Sequence, residues 1–235
     1  MGLAKEVSES TQSGTRMTAQ EVQELYTEKG EFYHHFFIDF IRYGKALKAF
    51  LKKSRCLASN MKVLDAGCGT GILTRNLCEI AQEEGSTGIT FNAFDLTPAM
   101  LGLFRKWISE NGREDIKLHQ ANVLEIGQLP QEWRNYDLVV SSGMLEYLSK
   151  DELGKALRNF RDLLGDNGTL AVCITRRNFF MKWLIQYWWK ANMYTREEIA
   201  GIFRDSGFEV QFSWFPFPYT YISLWGFAIV ARKRK

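Results

Sequence analysis

The sequence predicts an α/β protein in which helices cover both faces of a mostly parallel sheet, with one antiparallel strand near the sheet's edge. Three observations predict it. From residue 61 onward, short apolar runs alternate with segments of helical period, the pattern of parallel strands joined by crossover helices. The first run ends in Gly67, Gly69 and Gly71 and passes directly into a helical segment. The last two runs are joined only by residues 215–220, a link too short for a crossover helix, so those two strands lie antiparallel.

The elements follow in order. Residues 1–18 are polar and expected as a mobile tail, and residues 19–235 as one domain. Within residues 20–53, Val22, Leu25, Tyr26, Phe32, Tyr33, Phe36, Phe37, Phe40 and Ile41 recur at helical spacing, so 19–55 is expected as a helical cap, with Gly30 and Gly44 as dividing points. A strand over 61–66 is followed by a helix over 72–82 and a strand over 89–94. Thr97 caps the next helix, with Pro98 in its first turn. Strands follow at 116–120 and 136–141, a helix at 150–164, and a strand at 169–175. Residues 178–194 form an aromatic insert. Thr195 caps a helix over 196–205, with Glu198 placed for a capping box. Strands over 208–214 and 221–231 complete the chain.

Composition narrows the class. A length of 235 residues suits one α/β domain. Apolar residues make up 46% and charged residues 24%, an ordinary globular balance. A net charge of +3, with cations scattered except at Arg232-Lys233-Arg234-Lys235, does not point to nucleic acid. Cys56, Cys68, Cys78 and Cys173 form no CxxC pair and read as reduced thiols, with no disulfide frame and no metal site. No signal-peptide core or membrane-length apolar run is present, and Glu6 stands where a myristoylation motif needs Ser or Thr. A cytoplasmic location is expected.

The glycine turn carries the chemistry. It reads Asp65-Ala66-Gly67-Cys68-Gly69-Thr70-Gly71. A dinucleotide fingerprint needs a third Gly or Ala where Ile72 stands. Asp65 would repel a pyrophosphate but accept an ammonium group. The ligand is therefore cationic and free of phosphate, as an amino acid joined to a nucleoside is. Asp95 follows at roughly the 20-residue offset expected of a carboxylate that holds a ribose diol, although it also suits a helix cap. Asn122 ends the third strand, where its amide can accept from an adenine amino group or simply form a turn. Val123 can pack on the ring face.

These segments resemble the class I, Rossmann-like, S-adenosylmethionine-dependent methyltransferases of small-molecule type, from about residue 61 to residue 208. The segment 65–71 is similar to the family's motif I, and Phe94-Asp95-Leu96-Thr97-Pro98-Ala99-Met100-Leu101 to its motif II. Ala121-Asn122-Val123-Leu124 is similar to the adenine segment, with Asn122 where Asp is usual. Residues 136–148 resemble the fourth strand and its loop, with Tyr147 where many relatives have His. The resemblance implies a seven-stranded sheet and S-adenosyl-L-methionine as cofactor. It also implies cofactor contacts at Tyr26, Tyr33, Asp65, Gly67, Cys68, Gly69, Gly71, Asp95, Leu96, Asn122, Val123 and Ser142.

Methyl transfer is an in-line displacement whose thioether leaving group is already activated, so alignment matters more than a strong base. The segment 25–33 is similar to a helix that closes over the cofactor in many small-molecule members. Tyr33 is therefore the first catalytic candidate, followed by His34. His34 and His35 are adjacent on a helix, so at most one faces the cleft. Glu146 and Tyr147 are the alternatives. The insert is apolar nearly all round. It reads as a helix buried on the cap, as a lid over an apolar substrate, or as a membrane-surface contact helped by Arg176, Arg177, Lys182 and Lys190. The expected activity is methylation of O, N or C on a small apolar or aromatic molecule, with no nucleic-acid partner and membrane contact not favoured. The rival readings are a macromolecule methyltransferase and a cofactor-binding protein without catalysis.

Overall fold

A computed structural model describes residues 42–176, 192 and 194–234. Its elements are α1 (Tyr43–Ser54), β1 (Lys62–Ala66), α2 (Ile72–Glu84), β2 (Thr90–Asp95), α3 (Pro98–Glu110), β3 (Ile116–Gln120), β4 (Tyr136–Ser142), α4 (Lys150–Leu163), β5 (Leu164–Thr175), α5 (Arg196–Asp205), β6 (Phe208–Ser213) and β7 (Gly226–Lys233). The expected tail 1–18, the cap as far as residue 41, and residues 178–191 and 193 of the insert lie outside the described residues.

The seven strands form one sheet in the order β3-β2-β1-β4-β5-β7-β6. β1 to β5 are parallel, and β7 is antiparallel to both β5 and β6. Central strands are covered on both faces, which is why successive residues along them are buried rather than alternate ones. Leu64, Val139 and Val172 point to one core with Phe160 of α4 and Phe203 of α5. Val63, Val140 and Cys173 point to the other, with Phe50 of α1, Leu77 of α2 and Phe104 of α3. Consecutive strands leave β1 in opposite directions, so β1 and β4 flank a switch point. In such sheets ligands bind at the carboxyl ends of the strands there.

Local chemistry explains most element boundaries. Thr195 and Glu198 close the expected capping box, with Thr195 N–H donating to Glu198 Oε2 at 2.7 Å and Glu198 N–H to Thr195 Oγ1 at 3.2 Å. Ser149 and Glu152 form a second box at the start of α4. Thr97 holds the cap position before Pro98, but its side chain makes no capping bond. Instead, Asp95 Oδ1 accepts the Thr97 N–H at 2.8 Å.

Three boundaries differ from expectation. β7 starts at Gly226, because Thr220–Leu224 forms a short 3-10 turn that buries Ile222 in the core beside α1. Apolar residues over 221–225 looked like strand because periodicity alone does not separate a buried turn from a short strand. β5 starts at Leu164, paired with Tyr136 across a register shift. Gly44, expected at a division between helices, lies inside the first turn of α1, and its carbonyl accepts from Asn76 Nδ2 of α2 at 2.9 Å. No helix among the described residues is long and apolar enough to cross a membrane.

Candidate functional site

β1 delivers Asp65 and Ala66 to the carboxyl edge of the sheet, and the chain then turns through Gly67, Gly69 and Gly71 into α2. All three glycines have positive φ, at 71°, 52° and 85°. Gly67 N–H and Cys68 N–H both donate to the Phe94 carbonyl, at 2.9 and 3.0 Å, which ties the turn to β2. A Cβ on Gly71 would lie 2.2 Å from the buried Phe104 ring, and one on Gly67 would lie 2.7 Å from Met144. At Gly69 it would meet nothing within 4 Å. The turn is thus packed at both ends and open at its centre, beside the positive N-terminus of α2.

Asp95 borders this opening. Its Oδ2 accepts the Gly69 N–H at 2.8 Å while Oδ1 holds Thr97, so one carboxylate clamps the first turn to the second. Burial pushes the carboxyl up, against the backbone N–H groups that favour its charged form. Leu96 follows, half-buried, and its carbonyl accepts from Gln120 Nε2 at 3.3 Å. The Cys68 thiol is buried and pushed well up by burial, with the Asp65 and Asp95 carboxylates adding to the effect. A buried thiol kept in its protonated form is a poor nucleophile.

Asp65 is almost fully buried. Its Oδ2 accepts from Thr74 Oγ1 at 2.7 Å and Thr74 N–H at 3.1 Å. Oδ1 has no partner among the described residues. Burial raises this carboxyl to about 7, while the Thr74 bonds pull the other way. Thr74 was not singled out from sequence, where only its place in the first turn of α2 hinted at it.

At β3, Asn122 Oδ1 accepts the Leu124 N–H at 2.9 Å, forming an Asx turn. Val123 is buried in the core on the α4 side, and its carbonyl accepts from Asn159 Nδ2 at 2.7 Å. At the end of β4, Ser142 Oγ lies 2.7 Å from the Tyr43 hydroxyl, which joins the strand end to the first residue of α1. Tyr43 was also missed from sequence, since its partner lies 99 positions away.

The loop after β4 holds Glu146, which is buried. Glu146 Oε1 accepts the Thr175 hydroxyl at 3.0 Å, bridging the ends of β4 and β5. Oε2 has no partner among the described residues. Burial pushes the carboxyl up to about 7. Tyr147 is its half-buried neighbour. The Glu146 carbonyl accepts the Asn192 N–H at 2.7 Å, and the Leu148 carbonyl accepts from Asn192 Nδ2 at 2.8 Å and the Tyr194 hydroxyl at 3.2 Å. The structure thus gathers Asp65, Gly67, Cys68, Gly69, Gly71, Asp95, Leu96, Ser142 and Glu146 along one edge of the sheet. Tyr26, Tyr33, His34 and His35 lie outside the described residues.

Comparison with known proteins bears on this arrangement. The methyltransferase domain family matches residues 33–211. The fold is similar to magnesium protoporphyrin IX methyltransferase from Synechocystis PCC 6803 with bound SAH (TM-score 0.69, 17% identity, covering 93% of this chain and 100% of that one). It is also similar to an S-adenosylmethionine-dependent methyltransferase from Clostridium acetobutylicum (TM-score 0.66, 16% identity, 89% and 99% covered). Among curated sequences, a malonyl-[acyl-carrier protein] O-methyltransferase of Paenibacillus is 27% identical over 131 residues, 56% of this chain and 45% of that protein. An uncharacterized protein of Rickettsia prowazekii is 28% identical over 107 residues, 46% of this chain and 40% of that protein. The matches span less than half the length of these curated relatives. With this strand order, this glycine turn and a family match over most of its length, the fold is the class I Rossmann-like methyltransferase fold, and the chain belongs to the methyltransferase domain family.

Proposed function

We propose that this protein binds S-adenosyl-L-methionine at the carboxyl ends of β1 and β2 and transfers its methyl group to a small, apolar or aromatic acceptor. The observation that carries the reading is the open centre of the glycine turn at Gly69, bordered by Asp95. In this proposal Asp95 uses its remaining lone pairs for the ribose hydroxyls, with Gly67, Cys68, Gly71 and Leu96 shaping the walls. Asp65 offers its unpartnered oxygen to the amino-acid ammonium group. Asn122 and Val123 border the adenine, and Ser142 borders the amino-acid end. Tyr26 and Tyr33 close over the cofactor. When bound, the cofactor supplies a methyl group on a sulfonium, with a neutral thioether as leaving group.

The acceptor side is assigned to the ends of β4 and β5. There the unpartnered oxygen of Glu146 receives the acceptor's O–H or N–H and takes its proton as the methyl bond forms. A carboxyl pushed to about 7 suits that task near neutral pH. Tyr147 borders the same space, and Tyr33 and His34 remain candidates for the reacting end. The existence of an O-methyltransferase among the relatives supports an oxygen acceptor. Calorimetry with S-adenosylmethionine, its demethylated product and NAD tests the cofactor, and a tritiated-methyl screen of lipid, phenolic, amine and protein fractions tests the acceptor. Binding of NAD with none of S-adenosylmethionine overturns the reading. Label confined to the protein fraction overturns the small acceptor.

A further inference from the structure

β7 is antiparallel to both neighbours, so β6 runs in the same direction as β1 to β5. The link between β6 and β7 therefore emerges at the carboxyl edge of the sheet, the edge that carries the glycine turn and Glu146. Arg176, one residue beyond β5, donates its N–H to the Trp225 carbonyl at 2.8 Å and Nη1 to the Ser223 carbonyl at 3.3 Å, which anchors the link there.

This link, residues 214–225, reads WFPFPYTYISLW and contains no charged residue. Its inner side is core: Phe215 and Ile222 are buried, and Phe215 packs on Phe50 of α1 with ring centroids 5.9 Å apart. Its outer side is apolar as well. Phe217 is 89% exposed, Trp214 59%, Leu224 56% and Tyr221 39%. Among the described residues, the other large exposed hydrophobic is Leu103 on α3, toward the opposite end of the sheet. Four such side chains on one short link exceed the scattered apolar exposure of an ordinary surface.

Several backbone N–H groups of the link are satisfied within it. Phe215 N–H donates to Ser223 Oγ at 2.9 Å, and the N–H groups of Tyr219, Ile222 and Trp225 are satisfied by carbonyls three residues earlier. Cations border it: Lys53 Nζ donates to the Trp214 carbonyl at 2.9 Å, and Arg176 Nη1 donates to the Ser223 carbonyl on the other side. Trp and Tyr with an apolar body and a polar tip, on a link whose own sequence holds no Asp or Glu and which contacts Lys53 and Arg176, match a bilayer interface with anionic headgroups.

We propose that the link between β6 and β7 docks this protein on an anionic bilayer surface, with Trp214, Phe217, Tyr221 and Leu224 entering the interface and Lys53 facing the headgroups. Taken with the methyl-transfer reading, on which this clause rests, the placement sets the acceptor class. It is an apolar molecule resting at the lipid surface, reached from the edge that holds Glu146 and the glycine turn.

Co-sedimentation of the full chain tests this with vesicles of phosphatidylcholine alone and of phosphatidylcholine mixed with phosphatidylglycerol. The protein pellets with the mixed vesicles and far less with the neutral ones. Replacing Phe217→Ser together with Trp214→Ser lowers the vesicle-bound fraction by at least about tenfold, and Lys53→Glu weakens binding to the mixed vesicles only. Leu103→Ser, 55% exposed but remote, leaves binding at the parent level. A parent protein that stays in the supernatant with both vesicles overturns the proposal, as does equal loss with Leu103→Ser. A concentration-dependent dimer that Phe217→Ser abolishes, without vesicle binding, assigns the surface to a second copy instead. Titration of the same variants with S-adenosylhomocysteine separates the two readings. Failure of the parent to bind it removes the methyltransferase reading and leaves the vesicle result standing, whereas loss of vesicle binding with intact S-adenosylhomocysteine affinity removes only the docking surface.

Discussion

Gly69 and Gly71 lie two residues apart in one turn, and alanine at each breaks the protein in a different way. Both have positive φ, so a side chain costs about 1–2 kcal/mol of left-handed strain at either position. At Gly71 the added Cβ also lies 2.2 Å from the Phe104 ring, which is fully buried. That ring would have to retreat by more than about 1 Å to regain ordinary contact, and overpacking of this kind costs about 1–3 kcal/mol. Gly71→Ala therefore loses about 2–5 kcal/mol in total, a large share of the roughly 5–15 kcal/mol that holds a domain folded. At Gly69 the Cβ meets nothing within 4 Å, so Gly69→Ala loses only the strain and stays folded. Its methyl group instead enters the space proposed for the cofactor and lowers S-adenosylhomocysteine affinity by about tenfold or more. Urea unfolding monitored by circular dichroism gives the first quantity and titration calorimetry the second. Equal stability of the two variants would refute the role given to Phe104. Parent-like affinity in Gly69→Ala would show that the open space is not the cofactor's cradle.

Asp95→Ala lowers S-adenosylhomocysteine affinity by about 1.5–3 kcal/mol, the usual loss for hydrogen bonds to a charged group. It also lowers stability, because the N–H groups of Gly69 and Thr97 lose their acceptor. Unchanged calorimetric affinity would make Asp95 a clamp only. Glu146→Gln changes how stability depends on pH. The folded carboxyl titrates near 7 against an ordinary 4.5, so the native state keeps its proton longer than the unfolded chain. The stabilisation present below about pH 4.5 is lost as pH rises through about 7, and the glutamine variant gains on its parent by at most about 3 kcal/mol over that window. Urea midpoints measured across it check the sign, and a flat difference contradicts burial as the cause. Tyr43→Phe and Ser142→Ala, combined in a double-mutant cycle, show a coupling of about 0.5–1.5 kcal/mol; additive effects would mean that the 2.7 Å contact contributes no stability.

What could be read from sequence was local. The runs at β1 to β6 have lengths and compositions that fit strands set between helical segments, and the Thr195–Glu198 spacing encodes its own cap. The glycine turn was legible because strand, turn and helix follow one another without a gap. The start of β7 was not, because Ile222 is apolar for the sake of α1, and a burial partner from elsewhere in the chain leaves no periodic mark. Asn122 left two roles open, and its bond to the Leu124 N–H shows only where its amide oxygen already points.

By itself, the sequence determined the class of sheet, the antiparallel link at its end, and the position of the glycine turn. Each of these follows from residue period, turn chemistry or connection length within a few positions. Tertiary structure alone decided which groups meet. Asp95 clamps Gly69 because β2 lies beside β1 in parallel register, which brings two turns 26 positions apart into contact. Tyr43 reaches Ser142, and Glu146 reaches Thr175, only because β4 sits between β1 and β5 and ends at the same edge. The oxygens of Asp65 and Glu146 that have no partner among the described residues have the same origin. A carboxylate's charge is written in the chain, but its solvent and its partners are set by packing, and in a parallel sheet that packing is settled by strand order.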